Sequence, residues 1–229
     1  MTQSQPPLPQ SPLPQSPMPQ SPMPKTPLQA FPANQQLRIA ILRGAFVLLL
    51  PLITFTSSAW SGLPLAQALL FLDGIFLVIA AVLGRFWAIL YIGGRKNQMI
   101  MLDGPYSICR HPLYLFSTVG AVGFGLMLGS LVLMAVIGGV TFLILSATAA
   151  REETFLREKF GPAYDAYATR VPRILPRPAL FTTAPQVTFS VATLRENFYD
   201  ALVFMGFIPL AMGMNLLKDS GLIPTWPLW

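Results

Sequence analysis

Residues 113–149 read LYLFSTVGAVGFGLMLGSLVLMAVIGGVTFLILSATA, with no charged side chain and only Gly129-Ser130 as a break. At about 1.5 Å per helical residue, runs 113–128 and 131–149 each approach the thickness of a bilayer's hydrocarbon core. A joint that short leaves the two helices no option but to lie antiparallel. Ala121, Gly125 and Gly129 recur at four-residue spacing, which predicts close backbone approach within this hairpin.

Outward from the hairpin, the same pattern recurs. A first apolar run spans about residues 39–57 and a second begins near Leu65. The second continues past Leu83 through Arg85, Phe86, Trp87 and Tyr91, an aromatic collar suited to a membrane interface. A last run, about 198–217, has Pro209 in its middle, which predicts a kink in a spanning or re-entrant helix. The fold class expected is all-α: a polytopic membrane bundle of about five transmembrane helices. Three segments are expected: a disordered tail at 1–34, a core at 35–178, and an extension at 179–229.

The tail repeats a Pro-[Leu/Met]-Pro-Gln-Ser unit, beginning Pro7-Leu8-Pro9-Gln10-Ser11. Proline at that density removes donors and fixes φ, so the tail reads as disordered or polyproline II, a tether rather than a signal peptide. Between 150 and 197, Gly161-Pro162 ends one helix, and Pro172, Pro176 and Pro178 prevent another.

Composition agrees with lipid as the solvent. Of 229 residues, 53% are hydrophobic and 10% charged, far below the usual charged share of about 25%. The net charge of +6 lies between apolar runs without a basic-aromatic stripe, which argues against nucleic acid. With an N-terminus in the cytoplasm, Arg38, Arg43, Arg85, Arg95, Lys96, Arg110, Arg151, Arg157, Arg173 and Arg177 fall on that side and Lys218 outside. The loops 94–112 and 150–197 then share the cytoplasmic face, where any chemistry belongs. Cys109 and His111 are the only cysteine and histidine, so neither a disulfide nor a His-rich metal site is expected.

The loop before residue 113 reads Asp103-Gly104-Pro105-Tyr106-Ser107-Ile108-Cys109-Arg110-His111-Pro112. Pro112 suits a helix's first turn, which puts Arg110 and His111 at its N-terminus, a place for a carboxylate. The plainer alternative has Arg110 reaching lipid headgroups and His111 capping the helix. Glu152-Glu153 end the fourth run, where the helix dipole disfavours them; they bind a ligand, or Glu153 pairs with Arg157 one turn on. Tyr164 and Tyr167 read by default as interfacial anchors, Asp73 as a helix-packing carboxylate, and Cys109 beside Arg110 as a thiol open to a lowered pKa.

Gly104-Pro105-Tyr106 with Arg110-His111-Pro112-x-Tyr114, then Glu152-Glu153 and Phe160-Gly161-x-x-Tyr164-x-x-Tyr167, resembles the isoprenylcysteine carboxyl methyltransferase family, allied to the membrane phospholipid methyltransferases. Gly84-Arg85-Phe86-Trp87 looks like that family's stretch before the loop, so the resemblance covers about 65–178. It implies a cytoplasmic pocket for S-adenosylmethionine built from Tyr106, Arg110, His111, Pro112, Tyr114, Glu152, Glu153 and Tyr164, with Arg110 and Glu153 nearest the chemistry. It also implies methyl transfer to a lipophilic or prenylated acceptor, with no metal and no nucleic acid. A carboxylate nucleophile needs no base, which favours O-methylation of an isoprenylcysteine-like carboxylate over N-methylation of a phospholipid. Two further readings stay open: an NADPH-dependent sterol-type reductase and a non-enzymatic membrane scaffold.

Overall fold

The computed structural model describes residues 35–93 and 99–229. The proline-rich tail, Arg95 and Lys96 lie outside the described residues. Five long helical stretches dominate: α1 (Gln35–Phe55), α2 (Pro64–Ile92), α4 (Pro112–Met127), α5 (Leu131–Phe160) and the pair α7 (Val191–Met205) and α8 (Phe207–Asp219). Short helices α3 (Pro105–Ile108) and α6 (Pro162–Arg170) sit at one end of the bundle. Among the described residues three helical stretches are long and apolar enough to cross a membrane, Pro64–Ile92, Leu131–Phe160 and Leu202–Asp219, the last running from α7 into α8; Ile39–Phe55 and Pro112–Met127 are shorter apolar helices. Leu48, Leu65, Phe76 and Leu143 all point outward, as lipid-facing side chains do.

α4 lies at the centre, packed on α2, α5 and α8. Its contact with α2 is backbone on backbone. A Cβ at Gly74 would fall 2.6 Å from the Gly123 carbonyl, and one at Gly123 would fall 2.7 Å from the Gly74 carbonyl. On the other face Gly125 abuts the backbone of Met134, so part of the predicted small-residue seam does join α4 to α5. Gly129 serves a different purpose: at φ 71° it makes the turn between the two helices, a conformation glycine adopts without steric cost. Ala121 lines a cavity instead. The core between these helices holds Ile53, Val78, Phe124, Met127, Leu128, Leu133 and Ala211.

Two expectations are corrected, and one element is added. The last helical run does not kink at Pro209; it breaks at Gly206, and Pro209 lies within the first turn of α8, where its missing N–H costs little. Asp73 is exposed rather than packed between helices. The break after α1 also contains a strand, β1 (Thr56–Ser58), paired in parallel with β2 (Trp226–Leu228) in the register Thr56↔Trp226. Ser58 Oγ then donates to the Gly129 carbonyl at 2.7 Å, tying this small sheet to the hairpin turn.

Because the α2–α4 contact tolerates no side chain, Gly74→Ala is expected to cost about 1–3 kcal/mol of stability. Gly139→Ala, with nothing within 4 Å of the added carbon, serves as the control. Denaturant midpoints of the two detergent-purified variants check this; equal midpoints would show that the contact is looser than described.

Candidate functional site

At the end of the bundle opposite the β1–β2 sheet, the loop 103–111 passes beneath α4. Gly104, at φ 59°, turns the chain into the single turn of α3, and Tyr91 packs where its Cβ would be. Pro112 disfavours helical geometry at the residue before it, and His111 takes a non-helical conformation with φ −125° and ψ 62°. The stretch 108–111 pairs its backbone with 172–177. Arg110 N–H donates to the Pro172 carbonyl at 2.9 Å, His111 N–H to Arg173 at 3.0 Å, and Arg177 N–H to Ile108 at 3.0 Å. Prolines at 172 and 176 deny that segment a helix and leave it free to pair.

This pairing and α5 bring three cationic groups onto one carboxylate. The 30 residues of α5 span about 45 Å, more than a hydrocarbon core about 30 Å thick, so its last turns lift Glu152 and Glu153 beyond the apolar layer. Glu153, wholly buried, accepts from Arg173 Nε at 3.0 Å and Nη2 at 2.8 Å in a bidentate pair. Arg110 Nη1 lies 3.2 Å from its Oε1 and His111 Nε2 lies 3.3 Å away. The other imidazole nitrogen faces Glu152 Oε2 at 3.6 Å. Tyr114 stacks on the imidazole with ring centroids 5.4 Å apart and planes 6° from parallel.

The structure thus gathers Tyr106, Arg110, His111, Pro112, Tyr114, Glu152 and Tyr164 on one cavity, with Glu153 directly behind Arg110 and His111. Several plainer readings fall away. Arg110 is buried rather than reaching headgroups, and His111 makes no side-chain cap on α4. Arg157 pairs with Asp165 at 3.0 Å instead of Glu153. Tyr164 and Tyr167 are buried, and Tyr167 Oη donates to the Tyr106 carbonyl at 2.8 Å. Burial pushes the Cys109 thiol up to about 12, the reverse of an activated nucleophile, and its S–H donates to the Ile174 carbonyl.

Arg173 escaped the sequence reading, which counted it only as positive charge. Its signal was faint: an arginine between two prolines, just past the last tyrosine of the motif. Apart from Arg43, the residues of α1 and α7 that wall the cavity carried no sequence signal beyond apolarity.

The cavity is about 1050 Å³ and has two chemically distinct ends. One end is polar. There Tyr106 Oη, Tyr164 Oη and Arg110 Nε are buried without a hydrogen-bond partner among the described residues, while Arg110 Nη1 is engaged by Glu153. Burial raises the Tyr106 phenol well above its ordinary value, so it stands as a neutral donor. Unsatisfied buried polar atoms cost about 1–3 kcal/mol each, and three on residues that line one cavity suit a polar ligand. The other end is mainly apolar, walled by Phe46 and Leu49 of α1, Phe124 and Ile137 of the hairpin, and Phe204 and Phe207, with Arg43 and Arg85 also on the lining.

Comparison with known proteins gives the class. Residues 63–163 match the phospholipid methyltransferase family. The cobalt-zinc-cadmium resistance protein CzcN of Cupriavidus metallidurans is 35% identical over 186 residues, covering 81% of this chain and 85% of that protein. The chain therefore belongs to the phospholipid methyltransferase family, the membrane methyltransferases that its motifs resemble. The nickel-cobalt-cadmium resistance protein NccN of Alcaligenes xylosoxydans xylosoxydans is 35% identical over 182 residues, covering 80% and 84% of the two chains. A protein-S-isoprenylcysteine O-methyltransferase of Schizosaccharomyces pombe is 31% identical over 81 residues, covering 35% of this chain and 34% of its own. No solved structure matches the chain.

Burial pushes the His111 imidazole down, but the hydrogen bonds and charges of Glu152 and Glu153 outweigh it and hold its pKa above the ordinary 6.5. A raised folded value means that the imidazolium stabilises the fold fully below the unfolded value. That stabilisation is lost as pH rises through the folded value. The thermal midpoint should therefore fall as pH rises above about 6.5, and His111→Gln should flatten the fall. A wild-type midpoint that climbs through this window would contradict the contact geometry.

Proposed function

We propose that this protein transfers a methyl group from S-adenosylmethionine to a lipophilic acceptor, and that the polar end of the cavity holds the cofactor. The three unpartnered polar atoms on Tyr106, Tyr164 and Arg110 carry this reading. A zwitterionic amino-acid end and ribose hydroxyls match such donors beside a carboxylate. Arg110 and His111, held by Glu153, would bind the carboxylate of the methionine end, with Tyr114 stacked behind. Glu152 would meet the ammonium or ribose edge, and Tyr106 and Tyr164 would donate from opposite walls. Pro112 helps hold the non-helical backbone that aims His111.

The bound cofactor supplies an already activated methyl group, so little acid–base chemistry is required of the protein. The side chains have to align the acceptor at about 3–3.5 Å and exclude water, which the apolar walls of the cavity favour. Arg110 is the residue nearest the reacting end, and Glu153 keeps it in place. An acceptor carboxylate would need no deprotonation, so O-methylation of an isoprenylcysteine-like carboxylate is the reaction preferred. The family match favours a second reading, N-methylation of a phospholipid amine. That amine must first lose a proton, so its rate would climb with pH where carboxylate methylation would not.

We place the site and the N-terminus on the cytoplasmic side, by the excess of Arg and Lys there. Five crossings are proposed, with α1 and α4 joining the three longer spans. Residues 35–178 form the methyltransferase core, and 179–229 complete the cavity wall. Any part in metal resistance, as the names of CzcN and NccN suggest for those proteins, would run through modification of a membrane component.

Calorimetry of detergent-purified protein with S-adenosylhomocysteine tests the reading. Micromolar binding is expected, weakened at least about tenfold (~1.4 kcal/mol) in His111→Ala and in Glu152→Ala. Wild-type protein that is folded yet binds only NADPH would hand the site to the reductase reading.

A further inference from the structure

We infer that Phe204 of α7, seated against Gly120 of α4, sets how long a hydrocarbon chain the methyl acceptor can place in the cavity. Acceptor choice then lies outside the family-matched residues 63–163. This rests on the reading of the polar end as the cofactor site.

The two ends of the cavity draw unequally on the chain, the hairpin's Phe124 and Ile137 walling the apolar end from within the family match. Every polar group of the first end belongs to α3, the loop before α4, α4 itself, α5 or α6, nearly all within the family match. The apolar end owes Phe46 and Leu49 to α1 and Phe204 and Phe207 to the α7–α8 run, all outside it. A cavity of about 1050 Å³ exceeds the upper range usual for one small ligand, about 1,000 Å³, and a cofactor in the polar end leaves the apolar end unfilled. An apolar chamber beside a methyl donor in a membrane suits the aliphatic part of the acceptor itself.

Phe204 is the part of this wall held most firmly. A Cβ on Gly120 would fall 2.5 Å from the Phe204 ring, so the ring lies directly on α4 backbone. The Arg85 guanidinium sits 5.1 Å from the ring centroid, and Phe207 meets its edge at 5.3 Å. Phe207 rests in turn on Phe124 at 5.0 Å. Arg85 is itself fixed, donating to Ser117 Oγ at 2.7 Å. A ring clamped on these sides is a fixed stop, and the gap left by the Gly120 side chain decides how far it withdraws from the cavity.

The test uses full-length protein in one non-ionic detergent, with S-adenosylhomocysteine present, and a series of saturated carboxylates from octanoate to stearate. In the wild type, affinity should rise roughly three- to fourfold per added methylene up to a cut-off, then flatten. Phe204→Ala should move the cut-off to longer chains, and Phe204→Leu should do so less. Gly120→Ala, which pushes the ring into the cavity, should move it to shorter ones. S-adenosylhomocysteine affinity, read on the same samples, reports folding and should stay near the wild-type value. An unmoved cut-off in all variants, or no binding of any carboxylate to the wild type, would overturn the inference. Loss of S-adenosylhomocysteine binding from the wild type, with the chain-length pattern intact, would sink the cofactor reading alone.

Discussion

One buried carboxylate organises the functional end of this molecule. Glu153 is fully excluded from solvent, and an isolated charge there would cost several kcal/mol of desolvation. Arg173, Arg110 and His111 offset that cost together, and they arrive on two separate stretches of chain. Arg173 comes on the irregular segment after α6, while Arg110 and His111 come on the loop before α4. Neither stretch has a helix or sheet of its own to hold it. Their backbone pairing and their shared carboxylate supply the order that regular structure supplies elsewhere.

That arrangement also explains why α5 is so long. The hairpin with α4 is complete once the chain has crossed the apolar layer, yet the helix runs on to Phe160. The additional turns carry Glu152 and Glu153 to the level at which the loop and the post-α6 segment converge. Gly161, at φ 53°, then ends the helix and lets α6 fold back, which buries Tyr164 and Tyr167 beside the loop. A shorter α5 would strand the cations without a counter-charge.

The glycines of α4 connect this polar end to the apolar one. Gly123 lets α2 approach, Gly125 lets α5 approach, and Gly120 accommodates Phe204. One helix therefore sets three distances with three missing side chains. The family resemblance reaches the α2 and α5 contacts, whereas the third involves a segment beyond the family match. Members of one family can in this way keep a common polar end and differ in the chamber beside it.

Much was legible in the sequence because membrane helices advertise themselves. The helical hairpin, its Gly129 turn and the helix stop at Gly161-Pro162 follow from apolar runs and local φ/ψ preference, which act over a few residues. The Arg110-His111-Pro112 and Glu152-Glu153 elements were legible as motifs. What the sequence could not decide was their partners. Whether Glu153 met Arg157 or Arg173 is equally consistent with charge and spacing; backbone pairing between 108–111 and 172–177 settles it. The same holds for Tyr167, read as an interfacial anchor and found donating to Tyr106. The break at Gly206, the β1–β2 pairing and the seating of Phe204 on Gly120 likewise depend on segments distant in the chain. Local preference determined the elements; burial of one charge and close packing on α4 determined how they meet.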